Sequence, residues 1–263
     1  LWFDGATWSY HGSVPMYFPG CKCGFCRERF RADTGHELPE GIDWESRTFR
    51  EWVNWRYDVL MGVLRNIVDA VHEVNPDAAI CYNNYRRRAG SGGNGWSTAI
   101  PMRRLDLDMV MSGELDGFPG QADVQMKINR AYRCKRGAES WWPLCDHWYL
   151  WVPDTQPLSA VQSVLGCISA GGVASTGVGV ETKKMAYVLR AMQDAAAPRM
   201  PYLGGETVEY AAIVASQQTM DFLGRNEPKP VWDDIHGANE LLRHAHLQSS
   251  VIFDGDLEAH DLA

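Results

Sequence analysis

The sequence lacks several features that mark other classes of protein. No apolar run approaches the roughly 18 residues that a membrane-spanning helix needs. The formal net charge of -8 argues against nucleic acid and anionic membranes as partners, because phosphate binding needs a basic surface. No glycine-rich dinucleotide loop follows a predicted strand. What remains is the composition of a globular protein, with 45% hydrophobic and 22% charged residues.

The first residues carry neither an initiator methionine nor a signal peptide. The chain begins with an apolar, strand-like segment that no charged region precedes, and it ends soon after another strand-like segment at 250–253. We therefore expect this chain to be a fragment of a longer protein. The seven cysteines are odd in number and unevenly spread, which favours reduced thiols and a cytoplasmic location over a disulfide framework.

Strand-like and helix-like segments alternate along the first 200 residues. Apolar residues at helical spacing predict helices over 49–71, 125–136, 159–169 and 182–196. Short apolar segments predict strands at 1–3, 78–82, 108–111, 139–144 and 172–180. Strand, loop and helix repeated in this way imply parallel strands joined by crossover helices. We predict an α/β fold, the C-terminal half of a TIM (β/α)8 barrel, with an open doubly wound sheet as the alternative.

From about residue 201 the pattern changes. Strand candidates at 209–216 and 250–253 flank a helix candidate at 234–247, and prolines and glycines lie between them. We place a boundary at 198–201. It divides the chain into a partial barrel of residues 1–200 and a second, partial α/β domain of residues 201–263.

Three cysteines form a tight Cys-x-Cys-x2-Cys cluster at Cys21, Cys23 and Cys26. They lie in a segment, 8–46, whose glycine and proline content predicts a long irregular loop. Structural zinc takes four tetrahedral ligands, and four cysteine thiolates are a common set. The other cysteines are far away in sequence, so we expect a structural zinc ion whose fourth ligand lies upstream of Leu1. The alternative is three free thiols.

Three short motifs follow one another along the first 39 residues: Asp4-Gly5, Cys-x-Cys-x2-Cys-Arg-x-Arg-Phe over 21–30 and Gly-x2-Leu-Pro over 35–39. Together they resemble motifs of the beta-galactosidase-like glycoside hydrolases and their bacterial relatives. Residues 232–242 and 250–257 resemble the start of the trimerisation domain of those enzymes, a Rossmann-like α/β layer. The resemblance implies a TIM-barrel glycosidase with a four-cysteine zinc site beside the mouth of the active site. It also implies a homo-oligomer, such as a trimer.

Asp4 is the predicted nucleophile. Beta-galactosidases carry an Asn-Glu pair at the end of the fourth strand, whereas Phe3-Asp4-Gly5 looks more like the retaining alpha-L-fucosidases, whose nucleophile is an aspartate in a Trp-x-Asp-Gly context. Their general acid lies on a later strand, and Glu114 is similarly placed as acid/base catalyst. Retaining glycosidases hold two carboxylates about 5 to 5.5 Å apart. As alternatives, Asp4 caps a turn, Glu114 caps a helix or forms a salt bridge, and Asp116 competes for the acid role.

Polar and aromatic residues near the predicted strand ends are candidates to bind the substrate, because the active site of a barrel lies at the carboxyl ends of its strands. These candidates are His11, Asn83, Asn84, Trp142, Asp146 and His147. Each has a structural alternative, namely a solvated loop histidine, asparagines that shape a turn, or an aromatic core.

The expected function is therefore the retaining hydrolysis of a small glycoside or oligosaccharide, fucosidase-like or galactosidase-like, without a catalytic cofactor. The expected partners are a carbohydrate and further copies of the chain, and not nucleic acid or a membrane. A catalytically inactive carbohydrate-binding or assembly protein on the same barrel is the second hypothesis. Zinc-dependent hydrolysis is a weaker third one, because a catalytic zinc needs an open coordination position and a water-binding neighbour.

Overall fold

The computed structural model describes residues 1–3, 21–84, 109–112, 119–131, 138–143, 157–177, 182–202, 208–216, 218–223 and 229–257. The strands are β1 (Trp2–Phe3), β2 (Cys81–Asn84), β3 (Met109–Ser112), β4 (Ala138–Pro143), β5 (Val173–Gly177), β6 (Ala211–Ala215) and β7 (Ser249–Phe253). The α-helices are α1 (Gly24–Thr34), α2 (Arg47–Val74), α3 (Pro119–Arg130), α4 (Pro157–Ser169), α5 (Thr182–Ala196) and α6 (Lys229–His244). A 3-10 segment at Ala197–Tyr202 follows α5.

Strands β1 to β5 form one parallel sheet in which neighbours in space are also neighbours in sequence. Phe3 lies opposite Tyr82, and Asn84 lies opposite Ser112. Ser112 in turn lies opposite Ser140, and β4 continues beyond this pair to Pro143 along β5. Because all the strands run in the same direction, their carboxyl ends lie along one edge of the sheet.

Helix α2 is the longest helix, and its sequence sets both of its ends. The Ser46 hydroxyl accepts a hydrogen bond of 3.3 Å from the backbone N–H of Phe49, as an N-cap serine does. The helix ends before Asn75-Pro76, since a residue that precedes proline disfavours helical backbone. Although α2 has 28 residues, neither it nor another helix in the described part of the chain is long and apolar enough to cross a bilayer.

Helix α3 is buried on all sides over residues 123–129, each of which is less than a tenth exposed. Met126 packs against α4 and α5 in one apolar cluster. Val124 and Ile128 pack in another cluster with α2, β6 and β7. The helix therefore lies between two layers, and its polar side chains need partners inside the protein.

Those partners come from the C-terminal segment. Lys127 and Asp123 form a buried ion pair, with 3.1 Å between Nζ and Oδ2. Lys127 also donates to Asn239 Oδ1 at 2.8 Å and to Ser249 Oγ at 3.2 Å. The Asn239 amide donates to Asp123 Oδ2 at 2.9 Å. This polar network joins α3 to α6 and β7.

The C-terminal layer consists of β6, α6 and β7, and β6 pairs with β7 in parallel. Ile213, Val251 and Phe253 from its two strands share one apolar core with α2 and α3. The predicted boundary at 198–201 falls within the 3-10 segment. The layer that follows this boundary is thus packed on the preceding helices through both a core and the polar network.

The prediction of an irregular loop over 8–46 was wrong for α1, which occupies 24–34. Phe30 is the one fully buried side chain of this helix, so no apolar stripe at helical spacing announces it. Arginine and glutamate between the cysteines and Phe30 are nevertheless good helix formers. The other predicted helices and strands lie within a few residues of their observed positions, except that α3 (Pro119–Arg130) begins six residues and α6 (Lys229–His244) five residues earlier than predicted.

Candidate metal centre

Cys21, Cys23 and Cys26 are brought together at the start of α1. Their three Sγ atoms all lie within 4.8 Å of one another. Cys21 and Cys23 are exposed, and Cys26 is half-buried. Sulfur ligands at about 2.3 Å from a tetrahedral zinc ion lie about 3.8 Å apart. The three predicted ligands therefore lie close enough together to hold a metal ion.

The backbone at the start of α1 brings two of the thiols to one side. Cys23 is the N-cap residue, with extended backbone at φ -65° and ψ 165°. Its carbonyl oxygen accepts a hydrogen bond of 3.1 Å from the N–H of Arg27. This bond closes the first helical turn, and Cys26 lies within it.

Arg27 fixes the segment between the first two cysteines. Its Nε donates to the backbone carbonyl of Lys22 at 3.0 Å, and its Nη1 donates to Glu40 Oε1 at 2.7 Å. The ammonium of Lys22 also donates to the backbone carbonyl of Glu40. The hydrogen bond between the Arg27 and Glu40 side chains raises the pKa of Arg27 and lowers the pKa of Glu40. Sequence reasoning did not assign a role to Arg27 or Glu40, although Arg27 belongs to the cysteine motif.

Helix α1 is anchored on α2 by an aromatic contact and a hydrogen bond. The fully buried Phe30 meets Trp55 edge to face, with ring centroids 5.2 Å apart. The Trp55 indole N–H donates to Asp33 Oδ2 at 2.9 Å. This hydrogen bond, with a smaller contribution from Arg29, lowers the pKa of the Asp33 carboxyl. The cysteines therefore sit at the end of a helix that is held in place by its own packing.

The three thiols have unequal acidities because their surroundings differ. Burial, together with the neighbouring Cys21 and Cys23 thiols, raises the pKa of Cys26 to about 12. The pKa of Cys23 is lowered, chiefly by the backbone N–H of Cys26 and then by the neighbouring thiols. A metal ion binds thiolates, so it has to displace the proton of Cys26. Metal affinity is therefore expected to increase with pH.

The first coordination shell offered by this group is incomplete. Among the residues that the structure describes, no further histidine, cysteine, aspartate or glutamate joins the three cysteines. Three sulfur ligands leave one position of a tetrahedral ion for another ligand. The chemistry that this donor set favours is the binding of a thiophilic metal ion.

Only some of the predicted catalytic and substrate-binding residues are among those that the structure describes. Asp4, His11, Glu114, Asp146 and His147 lie outside the described residues. Asn83 and Asn84 are the last two residues of β2, opposite Met111 and Ser112 of β3. Trp142 lies in β4, opposite Thr176 of β5. These three residues lie in the parallel sheet, and the roles assigned to them stay predictions.

No protein-family model matches the chain, and no curated protein is significantly similar to it.

Proposed function

We propose that this chain is the C-terminal half of a (β/α)8-barrel glycoside hydrolase, followed by part of an assembly domain. The observation that supports this proposal is the order of the strands, since each of the five parallel strands lies beside its neighbours in sequence. A barrel requires this order, whereas a doubly wound sheet reverses its order at a switch point. The strand order therefore favours the barrel over its alternative.

The positions of the candidate residues along the chain fit the same proposal. Asp4 is the residue after β1, and Glu114 comes two residues after the end of β3. Asn84 ends β2, and Trp142 lies in the part of β4 that continues beyond its pairing with β3. Among the described positions, Asn84 ends its strand and Trp142 lies near the carboxyl end of its own, and parallel strands end along one edge of the sheet.

The proposed reaction is the retaining hydrolysis of a glycosidic bond, with Asp4 as nucleophile and Glu114 as acid/base catalyst. Strands β1 and β3 are separated by β2, which places them about 10 Å apart. A retaining mechanism requires the Asp4 and Glu114 carboxylates to lie about 5 to 5.5 Å apart. Hydrolysis of a panel of aryl glycosides by the complete barrel and by its Asp4→Asn variant tests the proposal.

We also propose that the cysteine cluster binds zinc in a structural role, holding the segment around α1. The full chain is expected to bind one zinc ion, measured by metal analysis after dialysis. Cys23→Ser should weaken zinc binding by at least about tenfold. Removing even a residue that only hydrogen-bonds to a metal ligand costs about tenfold or more in metal affinity, and removing a ligand should cost no less. Cys167→Ser, in the separate core cluster of α4, is the control and should bind zinc like the unmodified chain. Less than about half an equivalent of zinc, or equal losses in the two variants, would contradict the assignment.

The C-terminal layer is proposed to mediate self-association. Val208 and Tyr210, just before β6, and Leu241, in α6, are each more than two thirds exposed, and exposed apolar side chains are available to a protein interface. Leu241→Lys should raise the dissociation constant of the oligomer by at least about tenfold, because assembly then buries a charge. Leu158→Lys, on the equally exposed side of α4, is the matched control. Light scattering that gives a monomer for the unmodified chain, or equal effects of both variants, would contradict this role.

A further inference from the structure

The cysteine cluster contains a second chemical unit, the dithiol of Cys23-Gly24-Phe25-Cys26. Cys23 caps α1, an 11-residue helix, and Cys26 lies in its first turn. In helical geometry, Cα atoms three residues apart are separated by about 5 Å. A disulfide spans Cα separations of about 4.4 to 6.8 Å. The two Sγ atoms already lie within 4.8 Å of each other, so a disulfide can form here without unwinding the helix.

The two thiols differ in how solvent reaches them. Cys23 is exposed, and so is Phe25, at 75%. Apart from its chain neighbours and the backbone of its own helix, no described atom lies within 4 Å of the position that a Cβ on Gly24 would occupy. Cys26 is half-buried, and it packs against the aromatic cluster between α1 and α2. A small oxidant can therefore reach Cys23 first, while Cys26 is within reach of the product.

We propose that Cys23 and Cys26 form a redox-active dithiol, which a low-molecular-weight disulfide oxidises to an intramolecular disulfide. The Cys23 thiolate attacks one sulfur of that disulfide, breaks its S–S bond and releases one thiol. The Cys26 sulfur then attacks Cys23 and displaces the second thiol. The two cysteine protons end on the two released thiols, and the oxidant is reduced by the two electrons that the cysteines lose.

If the cluster binds zinc as proposed above, the same oxidation also regulates the metal site. Oxidation removes two of the three thiolates, and a single cysteine does not retain zinc at a tetrahedral site. Conversely, a bound ion occupies the sulfur electron pairs that attack the oxidant. Metal binding and oxidation are therefore mutually exclusive states of one cluster.

The test uses the full chain, freed of metal with a chelator and equilibrated in mixtures of reduced and oxidised glutathione. Free thiols are then alkylated, and the disulfide is located by peptide mass spectrometry. The expected product is a Cys23–Cys26 disulfide that dithiothreitol reverses. Cys21→Ser should still form it, whereas the double variant Cys21→Ser/Cys26→Ser, which leaves no neighbouring thiol, should stop at a mixed disulfide of Cys23 with glutathione. A disulfide that involves Cys21, or mixed disulfides alone in the unmodified chain, would overturn the proposal.

A second experiment, in which zinc is added first, tests the dithiol and the proposed zinc binding separately. Zinc added before glutathione disulfide should slow oxidation at least about tenfold if the thiols are its ligands, and Cys167→Ser should behave like the unmodified chain. If zinc gives no protection but the Cys23–Cys26 disulfide still forms, the dithiol stands and zinc binding fails. If zinc binds and no disulfide forms in the metal-free chain, zinc binding stands and the dithiol is wrong.

Discussion

Asp4→Asn is expected to lower the turnover of aryl glycosides by several orders of magnitude. The variant keeps the shape of the side chain and removes the charge of the proposed nucleophile, so no covalent glycosyl intermediate can form. Binding of the sugar should change much less, because the attack itself contributes little to the affinity for the substrate. Steady-state kinetics should therefore show the loss in kcat, with KM within about tenfold of the unmodified value.

Glu114→Gln is expected to act through the leaving group. An acid catalyst protonates the departing oxygen, which poor leaving groups need and good ones do not. The rate should therefore fall most for alkyl glycosides and least for nitrophenyl glycosides. Azide, a nucleophile that needs no general base, should restore part of the second step and yield a glycosyl azide.

Two carboxylates serve as controls for these variants. Glu139 is the second residue of β4 and lies opposite Met111 and Val173, near the amino end of the strand. Glu139→Gln should therefore leave kcat unchanged as long as the protein folds. Asp116→Asn tests the local competitor of Glu114. If Asp116→Asn shows the leaving-group dependence and Glu114→Gln does not, the acid role moves to Asp116. If the complete barrel binds sugars but hydrolyses none of the glycosides, the carbohydrate-binding alternative replaces the enzyme.

Periodicity predicted the helices with a strong apolar side. In α2, buried side chains such as Phe49, Trp52, Leu64 and Val68 recur at helical spacing, and Asn75-Pro76 marks the end. Helix α1 escaped prediction because its packing rests on Phe30, with Trp55 as the partner. One buried residue in a helix produces no repeating apolar pattern in the sequence. Since its partner lies on another helix, only the folded chain reveals the contact.

The metal cluster could be predicted from sequence because its ligands are local. Cys23 and Cys26 lie within one helical turn, and Cys21 is two residues away, so their spacing alone brings the sulfur atoms together. Arg27 and Glu40, which fix the cluster, are separated by a turn whose path the sequence does not specify. The same limit applies to the proposed catalytic pair, since the distance between Asp4 and Glu114 depends on how three strands are paired and twisted.

The polar network around α3 shows this limit most clearly. Lys127 and Asp123 are four residues apart and resemble an ordinary surface ion pair of a helix. Both are nevertheless less than a tenth exposed, because the C-terminal layer covers them. Asn239 and Ser249, more than 100 residues away, complete the hydrogen bonds of the lysine ammonium. Nothing in the local sequence distinguishes this buried pair from an exposed one. The contribution of the pair to the free energy of unfolding can therefore be predicted only from the structure.

Lys127→Met should therefore lower the free energy of unfolding by about 3 to 5 kcal/mol, the cost of leaving a buried charge without its partner. The variant keeps most of the side-chain volume, but Asp123 loses its cation and Asn239 loses a donor. Arg190→Met is the matched control, since Arg190 and Asp194 form an ion pair of the same spacing that is well exposed to solvent; it should cost less than about 0.5 kcal/mol. Urea denaturation followed by circular dichroism measures both variants.

The double variant Asp123→Leu/Lys127→Met separates the burial of charge from the loss of packing. If the large effect of Lys127→Met comes from an unpaired carboxylate, removing that carboxylate should recover part of the loss, since apolar side chains can replace a buried ion pair at little cost. Asn239 and Ser249 would still lack their partner, which limits the recovery. A single variant no more destabilised than Arg190→Met would mean that water reaches the pair. A double variant less stable than Lys127→Met would mean that packing against the C-terminal layer, and not charge, carries the effect.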